Sequence, residues 1–216
     1  MTDDEVDDYR HALPTGHVRE DYRIKRVIGA GGFGITYLAR DLREKDDSPR
    51  RNVAIKEYLP FELATRLSDG IQVGVLSEGD REDFLFGLEK FEREARTLAR
   101  FHHPNIVEVR RFFRANGAAY IVMRYEKGVD FATIIEAPDH LYEDDLKQML
   151  GPLLEGLSAV HKANFLHRDI KPSNIYVRRA DMTPVLLDFG AARSALRCPN
   201  RRNVANVRSC VEPPAP

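Results

Sequence analysis

The chain has 216 residues, 43% hydrophobic and 31% charged, which is the composition of a globular protein with one domain or two small lobes. Its 33 basic residues balance 34 acidic ones, so the chain lacks the basic excess that would predict binding to nucleic acid. No apolar run approaches the roughly 20 residues that span a bilayer, and the acidic start lacks the apolar core of a signal peptide. We therefore expect a cytoplasmic protein with no membrane segment.

The first third of the chain predicts an antiparallel β-sheet. Residues 1–21 form an acidic leader, which we interpret as flexible because of its polar composition. Short segments rich in β-branched and aromatic residues follow, at Tyr22–Ile28, Ile35–Ala39 and Val53–Lys56. Glycine-rich and charged turns separate them, which is the pattern of strands joined by hairpins.

A helix and two further strands are predicted next. Residues 59–80 are interpreted as a loop-like insertion, because turn residues are scattered through them. Glu82–Arg100 is predicted to be a helix, since apolar residues recur there at steps of three and four. The residues of this stripe are Phe84, Leu88, Phe91, Ala95 and Leu98. Ile106–Phe113 and Ala118–Tyr125 are predicted strands, joined by a tight turn.

The last part of the chain predicts a second helix and two short strands. Asp144–His161 has helical periodicity, and Pro152 is expected to bend it. The apolar runs Ile175–Val177 and Val185–Leu187 follow. The order of elements predicts an α+β fold: an antiparallel sheet with one helix, followed by the beginning of a helical lobe.

The first chemical motif is the glycine-rich segment Gly29–Gly34. Glycines allow a tight turn and let backbone N–H groups approach a phosphate, but a purely structural turn has the same composition. A dinucleotide-binding fold would need a helix after these glycines. The β-branched and aromatic residues at 35–38 favour a hairpin instead.

Two charged residues are candidates for a phosphate pocket. Lys56 ends the apolar strand Val53–Lys56, where a lone lysine is usually only exposed to solvent. Glu94 lies on the first predicted helix, and a helix glutamate also usually faces solvent. If the helix packs on the sheet, however, Glu94 can pair with Lys56 and hold it in position.

The most specific motif is the octapeptide HRDIKPSN at 167–174. Asp169 can accept a hydroxyl proton, Lys171 can neutralise charge on a transferring phosphoryl group, and Asn174 can ligate Mg²⁺. Asp188, followed by Phe189 and Gly190, comes directly after an apolar run and supplies a second Mg²⁺ ligand.

Taken in this order, the motifs resemble the eukaryotic-like protein kinase family. Lys171 is typical of its serine/threonine class, and the segments KEYLP and FEREARTLARFHHPNIVEV are similar to bacterial members. The resemblance covers residues 22–196. It implies transfer of the γ-phosphate of ATP, with Mg²⁺, to a serine or threonine of a protein substrate.

The resemblance also implies roles for individual residues. The catalytic residues would be Lys56, Glu94, Asp169 and Lys171, and the Mg²⁺ ligands Asn174 and Asp188. Leu98 would stack with Phe189 and His167 as a regulatory spine. Met123 would be the gatekeeper, and Arg124–Glu126 the hinge that binds adenine. The residues expected around ATP are Ile28, Gly29, Gly31, Gly32, Phe33, Gly34, Thr36, Ala54, Lys56, Met123, Arg124, Tyr125 and Glu126.

The sequence departs from the family pattern in three places. Thr36 replaces the usual valine, and the insertion after Lys56 is longer than the family's connection. Residues 197–216 contain both cysteines and four of the twelve prolines, and no APE motif precedes them. We interpret this tail as a frameshifted end of a longer kinase gene, or else as a genuine short form. Reading the coding DNA in the other two frames tests the hypothesis.

Such a chain would lack the later helices of the kinase fold. We then expect Leu153, Leu157 and Ile170 to be exposed, ATP to bind weakly, and peptide phosphorylation to be poor or absent. The alternative is a non-catalytic, kinase-like ATP-binding or regulatory fragment. A small-molecule phosphotransferase of similar fold is disfavoured by Arg168 and Lys171.

Overall fold

The computed structural model describes residues 11–137, 142–189 and 193–194 of the chain. The strands of this part, in chain order, are β1 Val18–Arg19, β2 Tyr22–Gly31, β3 Gly34–Asp41, β4 Asn52–Tyr58, β5 Ala64–Arg66, β6 Val73–Val75, β7 Val109–Ala115, β8 Ala118–Arg124, β9 Gly128–Asp130, β10 Phe165–Leu166, β11 Ile175–Arg178, β12 Pro184–Leu186 and β13 Arg193–Ser194. The helices are α1 Arg81–Leu98, α2 Phe131–Glu136 and α3 Glu143–Lys162, with 3₁₀ turns at Glu78–Asp80 and Pro172–Asn174.

A six-stranded antiparallel sheet forms the N-terminal part, which we call the small lobe. Its strands lie in the order β1-β2-β3-β4-β8-β7. Side chains alternate across β3, so that Ile35, Tyr37 and Ala39 are buried while their neighbours lie at the partly exposed face. The sheet and its helix confirm the predicted α+β fold.

Helix α1 packs on the small-lobe sheet through the apolar stripe predicted from the sequence, and all five residues of that stripe are buried. The ring of Tyr58 on β4 contacts Phe84 and Phe91, and its hydroxyl donates a hydrogen bond to the Phe84 carbonyl at 3.1 Å. A Cβ atom on Gly87 would lie 2.1 Å from this hydroxyl. A glycine in the middle of α1 therefore permits the close approach of Tyr58.

The second part of the fold consists of α2, α3 and the three-stranded sheet β12-β11-β9. This part packs against the segment that precedes β7 of the small lobe. The buried Asn105 donates its side-chain amide to the Pro184 carbonyl at 2.9 Å, and Val107 N–H bonds to the Leu186 carbonyl at 3.0 Å. These contacts place the end of β12 next to the small lobe.

Helix α3 continues through Pro152 and buries Met149, Gly156 and Val160. The expected exposure of Leu153 and Leu157 was wrong, because both pack partly buried against the core. Ile170 is exposed, as expected. The apolar residues that α3 exposes are instead Leu146, Leu150 and Leu154, at 43%, 52% and 54%.

The insertion at residues 59–80 is more ordered than predicted. It contains the antiparallel hairpin β5–β6 and one of the 3₁₀ turns. Val73 N–H bonds to the carbonyl of Asn116 at 2.9 Å, which ties the hairpin to the β7–β8 turn. Gly117 in that turn has φ +76°, and a Cβ there would lie 2.3 Å from the Val73 carbonyl oxygen.

Part of the predicted flexible leader packs against the sheet. Residues 1–10 lie outside the described residues, but Leu13 is buried and its N–H donates to the Tyr37 hydroxyl at 3.1 Å. Val18 and Arg19 form β1 on the edge of β2. The prediction of a flexible segment is therefore wrong for residues 11–19. Among the described helices, none has the length and apolarity needed to cross a membrane.

Candidate active site

A cleft of about 590 Å³ lies between the small-lobe sheet and the β11–β12 segment. Most residues that the sequence predicted around a nucleotide line it. These are Ile28, Gly29, Thr36, Ala54, Lys56, Met123, Arg124, Tyr125 and Glu126. Glu94, Asn174 and Asp188 line the same cleft. Residues predicted from five separate motifs are thus brought to one place.

The rest of the glycine-rich segment forms the tip of the β2–β3 hairpin. Gly31 pairs with Gly34 across the turn, and the side chain of Phe33 is 79% exposed. Gly34 has φ +150°, and a Cβ there would lie 1.9 Å from the Glu57 carbonyl oxygen, so only glycine fits. A Cβ on Gly29, Gly31 or Gly32 would meet no atom within 4 Å.

Lys56 and Glu94 form an ion pair across the cleft. Strand β4 lies between β3 and β8, so Lys56 is held in the sheet opposite Thr36 and Ile121. Its Nζ lies 3.1 Å from Glu94 Oε1. Burial alone would lower the pKa of Lys56, but the carboxylates of Glu94 and Asp188 outweigh it and raise the pKa. The ammonium group is therefore charged at neutral pH.

Asp169 is held by its neighbours in the 167–174 loop. Its Oδ2 accepts a hydrogen bond from Lys171 Nζ at 3.0 Å and from Asn174 Nδ2 at 2.8 Å. The hydrogen bond from Lys171, and then that from Asn174, lowers the pKa of Asp169. Asp169 is consequently a carboxylate at neutral pH, with its oxygens directed by two donors.

The same loop is fixed to Leu187, which directly follows β12, and to Phe189. His167 Nε2 donates to the Leu187 carbonyl at 2.9 Å, and its ring lies 4.5 Å from that of Phe189. Of the predicted spine, His167 and Phe189 are thus in contact, and Leu98 is buried. Phe101, which the sequence analysis missed, packs its ring 5.6 Å from Phe189. Gly190 lies outside the described residues.

Two residues of the site have left-handed backbone conformations without being glycine. Arg168 has φ +69° and Asp188 has φ +49°. Such conformations persist only where surrounding contacts enforce them, and they are concentrated at functional sites. Here one of them, Arg168, directly precedes Asp169, and the other is Asp188 itself, so both predicted carboxylates lie at or next to such positions.

Asn174 and Asp188 fit a magnesium site. Leu187 N–H bonds to the Asn174 carbonyl at 2.9 Å, so the two residues are brought together beside the cleft. Mg²⁺ prefers oxygen ligands and is often held by one or two protein carboxylates plus water and phosphate oxygens. The described residues contain no cluster of three or more histidine, cysteine or acidic side chains, as a closed protein cage would need.

The predicted hinge is anchored by two residues that sequence analysis missed. Tyr176 donates its hydroxyl to the Glu126 carbonyl at 3.1 Å, and Arg178 Nε lies 3.4 Å from Glu126 Oε2. Both residues are on β11 and line the cleft. No local signal could have found them, because they reach Glu126 only through the pairing of β11 with β9.

The fold and the site define a protein kinase domain. Residues 22–210 match the model of the protein kinase domain family, so the chain belongs to that family. The match runs past residue 196, into the segment 197–216 that lies outside the described residues. The domain boundaries and the frameshift hypothesis stay predictions.

The relatives are bacterial serine/threonine-protein kinases, which confirms the resemblance. The chain is 30% identical over 177 residues to serine/threonine-protein kinase PknA of Nostoc sp. (strain PCC 7120), covering 81% of this chain and 28% of PknA. It is 34% identical over 187 residues to serine/threonine-protein kinase PknJ of Mycobacterium tuberculosis, covering 85% and 28%. The chain therefore spans less than a third of the length of these relatives.

A solved structure has the same fold. The structure titled "PpkA-294 apo form" superposes with a TM-score of 0.78 and 38% sequence identity. The similarity covers 86% of this chain and 63% of that one.

Proposed function

We propose that this chain carries the ATP-binding and phosphoryl-transfer site of a serine/threonine protein kinase. The observation that carries the proposal is the convergence of the Lys56–Glu94 ion pair, Asn174 and Asp188 on one cleft, with Asp169 and Lys171 joined to that cleft through the hydrogen bond between Asn174 and Asp169. Protein kinases are expected to have this set of charges, because phosphoryl transfer depends on positioning and on neutralising phosphate charge. A cytoplasmic location is part of the proposal, since ATP is available there.

The cleft would accommodate each part of ATP. Ala54 and the hinge Arg124–Glu126 line one end and would contact adenine. At the other end, by the glycine-rich turn, a Cβ on Gly29, Gly31 or Gly32 would meet no atom within 4 Å, so the backbone there would allow phosphate oxygens to approach closely. The charged Lys56, held by Glu94, would bind those phosphates. Asn174 and Asp188 would hold Mg²⁺, which neutralises phosphate charge when bound.

Asp169 would act on the substrate hydroxyl. As a carboxylate it can accept the proton of a serine or threonine hydroxyl. The hydroxyl oxygen then forms a bond to the γ-phosphorus, the bond from that phosphorus to the bridging oxygen breaks, and ADP leaves. Lys171 is within 3.0 Å of Asp169 and would stabilise the charge on the transferring group.

The test is Mg·ATP binding by calorimetry together with phosphate transfer from labelled ATP to a library of serine/threonine peptides. We expect Asp169→Asn to lower turnover about 10² to 10⁴-fold, because the general base is lost, while Mg·ATP affinity is retained. Asp144→Asn is the matched control, since Asp144 is 86% exposed on α3. Turnover by Asp169→Asn equal to that of the control would contradict the proposal.

A non-catalytic ATP-binding fragment is the second candidate. The exposed residues Leu146, Leu150 and Leu154 favour it, because an uncovered apolar face suits a chain that binds a partner. The same two assays separate the candidates: Mg·ATP binding without any transfer favours the second one. No Mg·ATP binding by a chain that melts cooperatively would exclude both.

A further inference from the structure

Strand β4 ends in the tripeptide Lys56–Glu57–Tyr58, whose side chains alternate between the two faces of the sheet. Lys56 reaches Glu94 and Tyr58 reaches the Phe84 carbonyl, both on α1. Glu57 points to the opposite face and is completely buried. This carboxylate has no role in the proposed phosphoryl transfer.

Glu57 has a full set of donors on that opposite face. Its Oε2 accepts hydrogen bonds from the Tyr37 hydroxyl and from Arg66 Nη2, each at 2.6 Å, and its Oε1 accepts one from the Tyr120 hydroxyl at 2.6 Å. The Arg66 side chain is only 4% exposed. A buried ion pair of this kind adds little stability over an apolar replacement, but it fixes geometry when every partner is satisfied.

Arg66 links the pair to the insertion and to the N-terminal segment. It lies on β5, and its Nη1 donates to the Ile71 carbonyl at 2.9 Å. Its Nε donates to the His11 carbonyl at 2.7 Å. One guanidinium group therefore joins β4, the hairpin at 64–75 and the residues before β1.

The insertion also touches the glycine-rich turn. Leu59 N–H bonds to the Phe33 carbonyl at 3.1 Å, and Phe61 N–H bonds to the Gly32 carbonyl at 3.3 Å. The Glu57 carbonyl oxygen fills the place that a Cβ on Gly34 would need. The tip of the turn therefore rests on the start of the insertion.

We propose that the insertion at residues 59–80 is a brace for the glycine-rich turn, and that Glu57 and Arg66 are positioning residues which lock this brace to β4. The brace would set the distance between the backbone N–H groups of the turn and the ATP phosphates. This inference rests on the proposed function. It assigns the insertion, the main departure from the family pattern in the small lobe, to phosphate binding.

The test uses ligands with and without phosphates on the full chain. The double variant Glu57→Gln with Arg66→Met removes both charges together, so neither is left buried and unpaired. We expect its Mg·ATP affinity to fall about tenfold, as when one or two hydrogen bonds to the phosphates are lost. Adenosine affinity should change less than about twofold, because adenine binds at the other end of the cleft.

Two further variants make the test specific. Arg66→Lys keeps a cation beside Glu57 but loses the planar fork that reaches His11 and Ile71, so its Mg·ATP affinity should lie between wild type and the double variant. Lys147→Met removes a surface ion pair of 2.8 Å on α3 and should leave both affinities unchanged.

Hydrogen exchange gives a readout that a general loss of stability would not reproduce. We expect the amides of Leu59 and Phe61 to lose protection in the double variant, while those of Ile121 and Val122 in β8 keep theirs. Equal losses of ATP and adenosine affinity, or unchanged protection at Leu59 and Phe61, would overturn the brace.

The two proposals fail in different ways. If wild type binds no Mg·ATP, the proposed function fails and the brace fails with it. If wild type binds Mg·ATP and the ratio of ATP to adenosine affinity is the same in the double variant, only the brace fails. Should the double variant not fold, the same ratio measured on Arg66→Lys decides.

Discussion

Helices α1 and α3 have similar length and similar amphipathic sequences, but they differ in what covers their apolar faces. Helix α1 has 18 residues, and its whole apolar stripe is buried against the small-lobe sheet. Helix α3 has 20 residues and buries Met149, Gly156 and Val160, while Leu146, Leu150 and Leu154 are exposed. Periodicity thus predicts which face of a helix is apolar, but not how much of that face is covered.

The difference in burial between the two helices matches what each of them contributes to the site. Helix α1 must place Glu94 within 3.1 Å of Lys56, and a helix that is packed along its length can hold one side chain at that distance. Helix α3 contributes no residue to the lining of the cleft. Its contacts run to β10 and β12, and through β12 it supports the loop that carries Asp188.

Truncation of one leucine on each helix tests the comparison most strongly. Leu88→Ala in α1 should lower the free energy of unfolding by about 2–5 kcal/mol, because Leu88 is only 5% exposed. Leu150→Ala in α3 should change it by less than about 0.5 kcal/mol, since that side chain is half exposed. Both are measured by urea unfolding. An equal loss at Leu150 would show that this face is covered in solution, and dilution of the protein would reveal whether a second copy covers it.

Local patterns predicted the regular elements well, for a physical reason. The apolar stripe of α1 and the alternation in β3 are both visible in residues that lie close together in the sequence. In each element, the face that the periodicity predicts to be apolar is the face that is buried. The roles of the motif residues came from their resemblance to the protein kinase family. The Lys56–Glu94 pair was anticipated on the condition that the helix packs on the sheet, and it is present.

Elements that depend on distant partners were not predicted. Strands β5 and β6 have three residues each and are held by Arg66 on Glu57 and by Val73 on Asn116. Segments this short carry no periodicity, and the partners lie in other parts of the chain. The hinge anchors Tyr176 and Arg178 were missed for the same reason.

The interior glycines of the two helices give a second, smaller test. Gly151→Ala in α3 should change the free energy of unfolding by less than about 0.5 kcal/mol, because the helix propensity of alanine is opposed by the ring of Pro152, which disfavours a Cβ on the preceding helical residue. Gly87→Ala in α1 should lower it by about 1–3 kcal/mol, since the Cβ would lie 2.1 Å from the Tyr58 hydroxyl.

A double-variant cycle separates the steric contact from helix propensity. Tyr58→Phe removes the hydroxyl, so Gly87→Ala should be less harmful in that background than in wild type. Thermal or urea unfolding of the four proteins gives the coupling. Stabilisation by Gly87→Ala in the wild-type background would mean that Tyr58 does not pack against α1 as described.

The smallest expected effect is on pH dependence, and it compares a histidine from each part of the fold. Burial, reinforced by Arg19 and Arg66 and opposed by Glu57, lowers the pKa of His17 beside the small-lobe sheet. Burial also lowers the pKa of His167, although the Leu187 carbonyl and the carboxylates of Asp188 and Asp169 oppose it. Both imidazoles are therefore held neutral in the folded chain.

A histidine whose folded pKa is lowered takes up its proton more readily in the unfolded chain. The free energy of unfolding should consequently fall as the pH drops through the ordinary histidine pKa of 6.5, and it should keep falling until the folded pKa is reached. Urea unfolding of wild type, His17→Gln and His167→Gln at a series of pH values measures this loss. Each variant should show a shallower loss than wild type, because one such group has been removed. A variant that retains the full wild-type slope would show that its histidine is already protonated, or freely solvated, in the folded chain. For His167 a protonated ring would also exclude the contact with Asp169 N–H, because that contact requires an unprotonated Nδ1, whereas the Nε2 proton would still bond to the Leu187 carbonyl.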